Sequence, residues 1–492
     1  SDDYATARLF LTSSSAQTWD PHKLVTIYST DSTPKVSYSF DPSKTDTLNA
    51  SITATGVGSV DQNGVLSPAE TSSLEARFHL VRENGQWRID APADGVVVSQ
   101  ASFTASHELV SLMFLSATGD SLIADPRWYP TRRVETHMLE GLIAGPQSHL
   151  SDALVNAIPS GTSISAGGIE LSDHVAKVSL NGTLPSDDRG KQLMAWEISQ
   201  TLQRSGRVNS VEINVGGEVL PSSGLPSQPS FDLDSAVAFN SNGLVRIDGR
   251  SVSTRILPIA PSPSASLPAV SPVSSSLLAW REDDRLILVD SSTNATRVVD
   301  GSQGQYSPSI DRFGWVWDIP RGGNLRASRI DGQNLPIASE NQSLSGVSAV
   351  RISPDGARAL LLRQVGGSTS AWIAGIERRG SGEPIALTDP EPLAGLSTGV
   401  DDVSWAGRST VVAVRQGGLR VGNDQVDEVS LVTVPVGGFP SVLALPTGTQ
   451  RLSAGSSSTT MVIRGKDGNY QVRSGALWQS LEGNLRDVNF PG

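Results

Sequence analysis

The sequence predicts a multidomain chain: a small α+β cone, a second α+β domain, and an all-β six-bladed propeller closed by its C-terminal strand. Three observations carry this. The 492 residues exceed what one core usually holds, at about 150 residues per domain. The hydrophobic pattern changes along the chain, from alternating strands, to helices mixed with strands, to short strands separated by turns. From residue 231 one local pattern recurs roughly every 45 residues, the length of a four-stranded propeller blade.

Residues 1–100 form the expected cone. Tyr4 to Leu11 reads as a helix ending before Trp19-Asp20-Pro21. Ser51 to Thr55 and Leu74 to Val81 largely alternate apolar and polar, the period of half-buried strands. Asn84-Gly85 then supplies a tight turn into Gln86 to Asp90, so a hairpin is expected there. A helix followed by a curved antiparallel sheet resembles cystatin-like or nuclear-transport-factor-like cones.

Residues 101–220 carry two amphipathic helices. Pro130 is expected in the first turn of one, with Val134, Met138, Leu139 and Leu142 on a single face and Gly145-Pro146 as its stop. Asp187 or Asp188 caps the other, which presents Met194, Ile198 and Leu202 and ends at Gly206. Strand patterns fall at Val110 to Leu115, His174 to Leu180 and Val211 to Val215. Helices on one face of a mixed sheet would bury these stripes. Pro221 to Ser230 reads as a linker.

Residues 231–492 repeat one unit: an apolar triplet, a turn, a second strand, then a third. Copies begin at Val237, Leu278, Trp315, Leu360, Val412 and Met461. Several have an additional strand before them, such as Ala349 to Ser353 and Asp402 to Trp405, whereas the first has no evident equivalent. Asp487 to Phe490 provides one, which predicts that the last strand completes the first blade and leaves no open sheet edge. Leu257 to Ser276, rich in Pro and Ser, has strand copies on both sides and is therefore placed inside the propeller.

Composition excludes several activities. With no Cys there is no disulfide, thiolate nucleophile or Cys-ligated metal in these residues. A net charge of −12 without a local basic patch argues against nucleic acid. The basic residues are overwhelmingly Arg, which hints at a GC-rich genome. The longest apolar stretch, Leu109 to Leu115, is far short of the roughly 18 residues that cross a bilayer. A chain opening Ser1-Asp2-Asp3, with no Met and no apolar leader, is expected to be processed or truncated, with any signal or anchor removed.

No catalytic, cofactor-binding or metal-ligating residue is predicted, and no partner-binding residue can be named. The six His (22, 79, 107, 137, 149, 174) lack zinc-ligand spacing, and none lies in the propeller. Nucleophile-elbow, P-loop and complete dinucleotide fingerprints are missing. The pairs Asp187-Asp188, Asp283-Asp284 and Asp401-Asp402 are expected as helix-cap or solvated turn residues rather than acid–base or calcium groups, and Ser353-Pro354-Asp355-Gly356 as a tight turn. Propeller residues Trp280, Trp315, Trp317, Trp372, Trp405 and Trp478 are expected to pack sheets together, with a sugar-stacking platform as the alternative.

A resemblance adds to this. Val110 to Leu115, Gly119 to Trp128, Leu139 to Pro146 and Asn156 to Thr162 resemble a GerMN domain, the module of spore-germination and envelope lipoproteins. With a cone before it and a propeller after it, essentially the whole chain resembles the LpqB lipoprotein family of actinobacteria. The resemblance implies a non-enzymatic extracytoplasmic protein, lipid-anchored to the cell membrane, that contacts the sensor domain of the MtrB histidine kinase and modulates two-component signalling in the cell envelope. The alternatives are a cell-wall glycan binder that takes peptidoglycan, and a propeller hydrolase using acidic residues around the central channel.

Overall fold

The computed structural model describes residues 4–40, 43, 45–69, 73–256, 261–339, 341, 343–417, 420–421, 424–425 and 429–492. The expected features at Ser1-Asp2-Asp3 and the start of the Leu257 to Ser276 stretch lie outside the described residues. Contacts divide the chain into two compact units: Ser1–Leu112 with Pro126–Gly141 and Arg204–Gly206, and Met113–Asp125 with Leu142–Gln203 and Arg207–Gly492.

The first unit contains a seven-stranded sheet with Gln86–Asp90, Ser73–Glu83, Thr47–Asp61, Leu24–Tyr28 and Val96–Ser99 side by side. Lys35–Ser39 and Leu66–Pro68 also pair with the long strand Thr47–Asp61. The hairpin at Asn84-Gly85 is present, with Glu83 opposite Gln86 and both turn residues at positive φ (52° and 79°), as a type I′ turn requires. The expected helix from Tyr4 to Leu11 shrinks to Ala5–Arg8. Leu9 and Phe10 beyond it are 70% and 61% exposed, so no apolar face is buried to sustain further turns.

The middle region departs from expectation at Pro130. That residue ends the strand Leu122–Pro130, and the helix starts only at Val134. Arg133, at φ 56°, is left-handed and cannot belong to the first helical turn. The second helix, Asp188–Gln203, is as expected: the Asp187 carboxylate accepts the Gly190 N–H at 2.7 Å, and Met194, Ile198 and Leu202 are fully buried. It connects the parallel strands Val175–Asn181 and Ser210–Val215.

The second unit continues into a propeller-like domain. Six sheets, each with a four-strand path, run from Ser235 to Asn489. Their second strands are Ser235–Asn240, Leu277–Glu282, Val316–Asp318, Arg358–Val365, Thr410–Gln416 and Met461–Gly465, the places where the repeated pattern begins. The corresponding first strands are Arg486–Asn489, Ala265–Val270, Ser309–Ile310, Val347–Ile352, Val400–Trp405 and Thr449–Ala454. Each first strand neighbours the next, and Arg486–Asn489 neighbours both Thr449–Ala454 and Ala265–Val270. Arg486–Asn489 pairs with Ser235–Asn240, Val237 facing Asn489. Apolar side chains of successive sheets interleave: Trp315, Trp317 and Leu325 pack with Val350, Leu361 and Ile376.

Polar contacts fix the segments before the propeller within the same unit. Arg312 Nη2 meets Asp120 Oδ1 at 2.5 Å, and Arg358 donates to the Ala124 carbonyl. The Gln228 side chain bonds the backbone of Leu122 twice, its Oε1 accepting the N–H (3.2 Å) and its Nε2 donating to the carbonyl (3.1 Å). Arg408 donates to Pro229 O at 2.9 Å and lies over the Phe231 ring. The stretch Pro221 to Ser230, though without regular structure, is therefore tied down near its end.

Candidate functional site

The first strands of the six sheets and the loops that lead into them, together with Val462, Arg464 and Tyr470 of the last sheet, line an open cavity of about 290 Å³. Alternation places every second side chain of a strand on one face. In Val347–Ile352 the inward position is Arg351, and in Val400–Trp405 it is Asp402. Both are buried (5% and 3% exposed). Asp402 corrects the expectation of a solvated turn residue: its pair Asp401-Asp402 lies within a strand, and Asp402 faces a cavity walled by protein.

Asp402 and the neighbouring guanidiniums hold backbone groups. The Asp402 oxygens accept the N–H groups of Val403 (3.0 Å) and Leu452 (3.1 Å). Arg351 Nη1 donates to Ser307 O at 2.5 Å, and Arg451 Nη1 to Asp401 O at 3.2 Å. Arg451 also lies 4.2 Å over the Tyr306 ring, whose hydroxyl donates to Asp401 O. Burial pushes the Asp402 carboxyl above the usual range despite Arg351 and Arg451 nearby. Burial likewise lowers the Arg351 guanidinium, with Asp402 opposing it. Each Asp402 oxygen is thus committed to a backbone N–H group, one on its own strand and one on the neighbouring first strand.

The other carboxylate pairs serve the backbone too. Asp187 caps its helix, and Asp283, at φ 54°, forms with Asp284 the two-residue turn between Glu282 and Arg285. In Ser353-Pro354-Asp355-Gly356 the Ser353 hydroxyl donates to Asp355 and accepts the Arg358 N–H, while Gly356 adopts φ 75°. Its role as a tight turn is visible directly. Among the described residues no three His, Cys, Asp or Glu side chains converge as for a metal ion.

The tryptophans are mostly internal. Trp280, Trp315, Trp317 and Trp405 are buried, and Trp317 and Trp405 donate their indole N–H to Asp311 and to Arg351 O. These four leave no ring face for a sugar, whereas Trp372 and Trp478 are partly buried. His137 stacks on Tyr129 and contacts Glu140 at 3.3 Å, as a surface histidine would. Of the cavity residues, the sequence marks only Asp402 as a candidate, and as a turn residue. Arg351 was visible only as a polar residue in an apolar strand, which is the one signal that could have marked it.

A sheet-rich α+β domain, a GerMN-type domain and a propeller-like domain in series define a class of multidomain protein. Residues 1–104 match the family described as "Lipoprotein LpqB, N-terminal domain", residues 111–221 "Sporulation and spore germination", and residues 242–491 "Lipoprotein LpqB beta-propeller domain". The chain belongs to the LpqB lipoprotein family.

Relatives named Lipoprotein LpqB include one from Streptomyces coelicolor, 28% identical over 555 residues and covering 100% of this chain and 88% of that protein. Another, from Rhodococcus jostii, is 26% identical over 464 residues, covering 84% of this chain and 74% of that protein. Among solved structures, TolB from Acinetobacter baumannii is 14% identical with a TM-score of 0.36, covering 79% of this chain and 83% of that one. The tandem GerMN domains of GerM from Bacillus subtilis are 14% identical with a TM-score of 0.20, covering 29% and 59%. Among the described residues no helix is long and apolar enough to cross a membrane.

Proposed function

We propose that this chain is a non-enzymatic, extracytoplasmic lipoprotein, held at the cell membrane by an N-terminal lipid, that binds and modulates the sensor domain of a two-component histidine kinase of the MtrB kind in cell-envelope signalling. Its relatives' names support the lipoprotein part. The observation that carries the non-enzymatic part is Asp402, the most deeply placed carboxylate of the cavity, with both oxygens on backbone N–H groups. In this reading residues 1–100 and 101–220 are separate domains, 221–230 connects them to 231–492, and the six sheets act as blades of a ring latched by the last strand. A preformed scaffold of this kind loses little conformational freedom on binding another protein. Capture of the kinase's extracellular domain by the immobilised full chain tests the reading. Saturable capture that survives physiological salt is expected, and no capture would overturn it.

A second reading is a cell-wall glycan binder, and Trp372 and Trp478 favour it as the two propeller tryptophans not fully buried. Peptidoglycan fragments titrated against tryptophan fluorescence decide it: a flat response removes the reading. Against the hydrolase alternative stand Asp402 and Asp487, the two carboxylates that line the cavity, each of which accepts a backbone N–H.

A further inference from the structure

The cavity among the first strands has more hydrogen-bond donors than the protein supplies acceptors for. Three arginines border it, Arg351, Arg451 and Arg464. Each guanidinium carries five N–H donors. Arg351 and Arg451 place one nitrogen each on a backbone carbonyl, and Arg464 has no protein acceptor among the described residues. Two carboxylates in the same wall answer them in part: Asp402, attracted to Arg351 and Arg451, also holds two backbone N–H groups, and one Asp487 oxygen holds that of Leu267 at 3.1 Å, which leaves three guanidiniums against two carboxylates.

Asn489 makes the imbalance specific. It is 5% exposed and lines the same cavity. Its Oδ1 accepts from the Ser453 hydroxyl at 3.3 Å, which orients the amide and leaves Nδ2 buried without a hydrogen-bond partner. A buried donor lacking an acceptor is costly and uncommon in native proteins. Here it stands in a wall with three guanidiniums and two carboxylates, so an acceptor with negative charge would complement both the amide and the cationic excess. Arginine's planar fork matches the oxygens of a carboxylate or phosphate. At about 290 Å³ the space is near the lower end for small-molecule pockets and excludes a folded partner.

We propose that this cavity binds a small solute bearing an oxyanion, a carboxylate or a phosphate, with Arg351, Arg451 and Arg464 facing the charge and Asn489 Nδ2 donating to one of its oxygens. This stands independently of whether a kinase binds the outer surface. The site would make the propeller-like domain a receptor for a metabolite-sized anion, with no bond made or broken in the ligand.

The test is thermal unfolding and calorimetric titration of the full chain with inorganic phosphate, with citrate and, as a neutral control, with glycerol, at ionic strength held constant with sodium chloride. Saturable stabilisation by phosphate or by citrate, and none by glycerol, is expected. Phosphate alone assigns a phosphorylated solute, citrate alone a carboxylated one, and both the shared oxyanion chemistry. Arg464→Ala, at a half-buried position outside the core, should weaken binding about tenfold or more. Asn489→Asp replaces the orphan donor by a carboxylate and should abolish binding. Arg464→Lys, which keeps the charge, should retain part of it. No saturable response to either anion overturns the proposal. So does an equal response to glycerol, or anion binding that Arg464→Ala leaves unchanged in a protein with wild-type circular dichroism.

Discussion

Arg312 and Asp120 stand 192 positions apart in the chain and meet at 2.5 Å, with the arginine side chain only 6% exposed and the aspartate 53%. Burial alone would raise the Asp120 carboxyl, but hydrogen bonds from Thr118 and Arg312 hold it below the usual value. Arg312 also lies 4.3 Å over the Phe313 ring. The pair therefore links a turn of the middle region to the propeller-like part of the same unit. Half-exposure of Asp120 screens the interaction, so a double-mutant cycle with Arg312→Ala and Asp120→Ala should give a coupling of about 1 kcal/mol. Urea denaturation measures it, and strictly additive variants would show that the contact contributes nothing.

Glu197 gives the protein a pH dependence with a defined sign. The side chain is fully buried on the helix Asp188–Gln203, and its oxygens accept the N–H groups of Leu115 (3.3 Å) and Ala157 (2.8 Å). Burial pushes its carboxyl up to about 8. A raised acid binds its proton more tightly in the folded state, so its contribution is present below the unfolded value near 4.5 and is lost as pH rises through about 8. Melting temperature should fall between pH 5 and pH 9, and Glu197→Gln should flatten that slope. Parallel profiles for the two proteins would contradict the assignment.

Replacing Gly141 should reverse the ordinary rule for helices. Gly141 lies inside the helix Val134–Ala144, where Ala normally stabilises by about 1 kcal/mol. A Cβ at that position would stand 2.0 Å from Tyr129 Oη, and Tyr129 is itself buried. Overpacking of this kind costs about 1–3 kcal/mol, so Gly141→Ala should lower stability. A raised unfolding midpoint would mean that the Tyr129 ring moves aside freely.

Removing Arg486 to Gly492 tests the pairing of the last strand with Ser235–Asn240. Val488 and Phe490 pack with Ala236, Val245 and Tyr470, and each such buried side chain is worth about 1.5–3 kcal/mol. Their loss also bares the edge of Ser235–Asn240 to intermolecular pairing. The shortened protein should self-associate on size-exclusion chromatography and unfold at lower urea. A monomer with unchanged midpoint would show that the last strand does not secure the sheet it pairs with.

What could be read ahead depended on how local each signal is. The second strands of the six sheets were legible because triplets such as Val237-Ala238-Phe239 lie beside their own turns. The hairpin at Asn84-Gly85 was legible for the same reason. Pro130 misled because a proline suits a strand end as well as a first helical turn, and only the left-handed Arg133 decides between them. The candidate site was barely legible. Arg351, Asp402, Arg451 and Asn489 come from four different strands, and nothing within a few residues of any of them signals the others. Asp402 looked like a turn residue because two adjacent carboxylates usually face water, and only its place on an inward-facing strand removes it from solvent.

The sheet built from Ser235–Asn240 and Arg486–Asn489 joins the two extremes of the propeller-like region. A ribosome delivers the amino end first, so Ser235–Asn240, paired early with Gly243–Asp248, keeps its other edge open through some 250 residues of further synthesis. Until Arg486–Asn489 arrives that border is open to pairing with another chain, and docking of the last strand covers it.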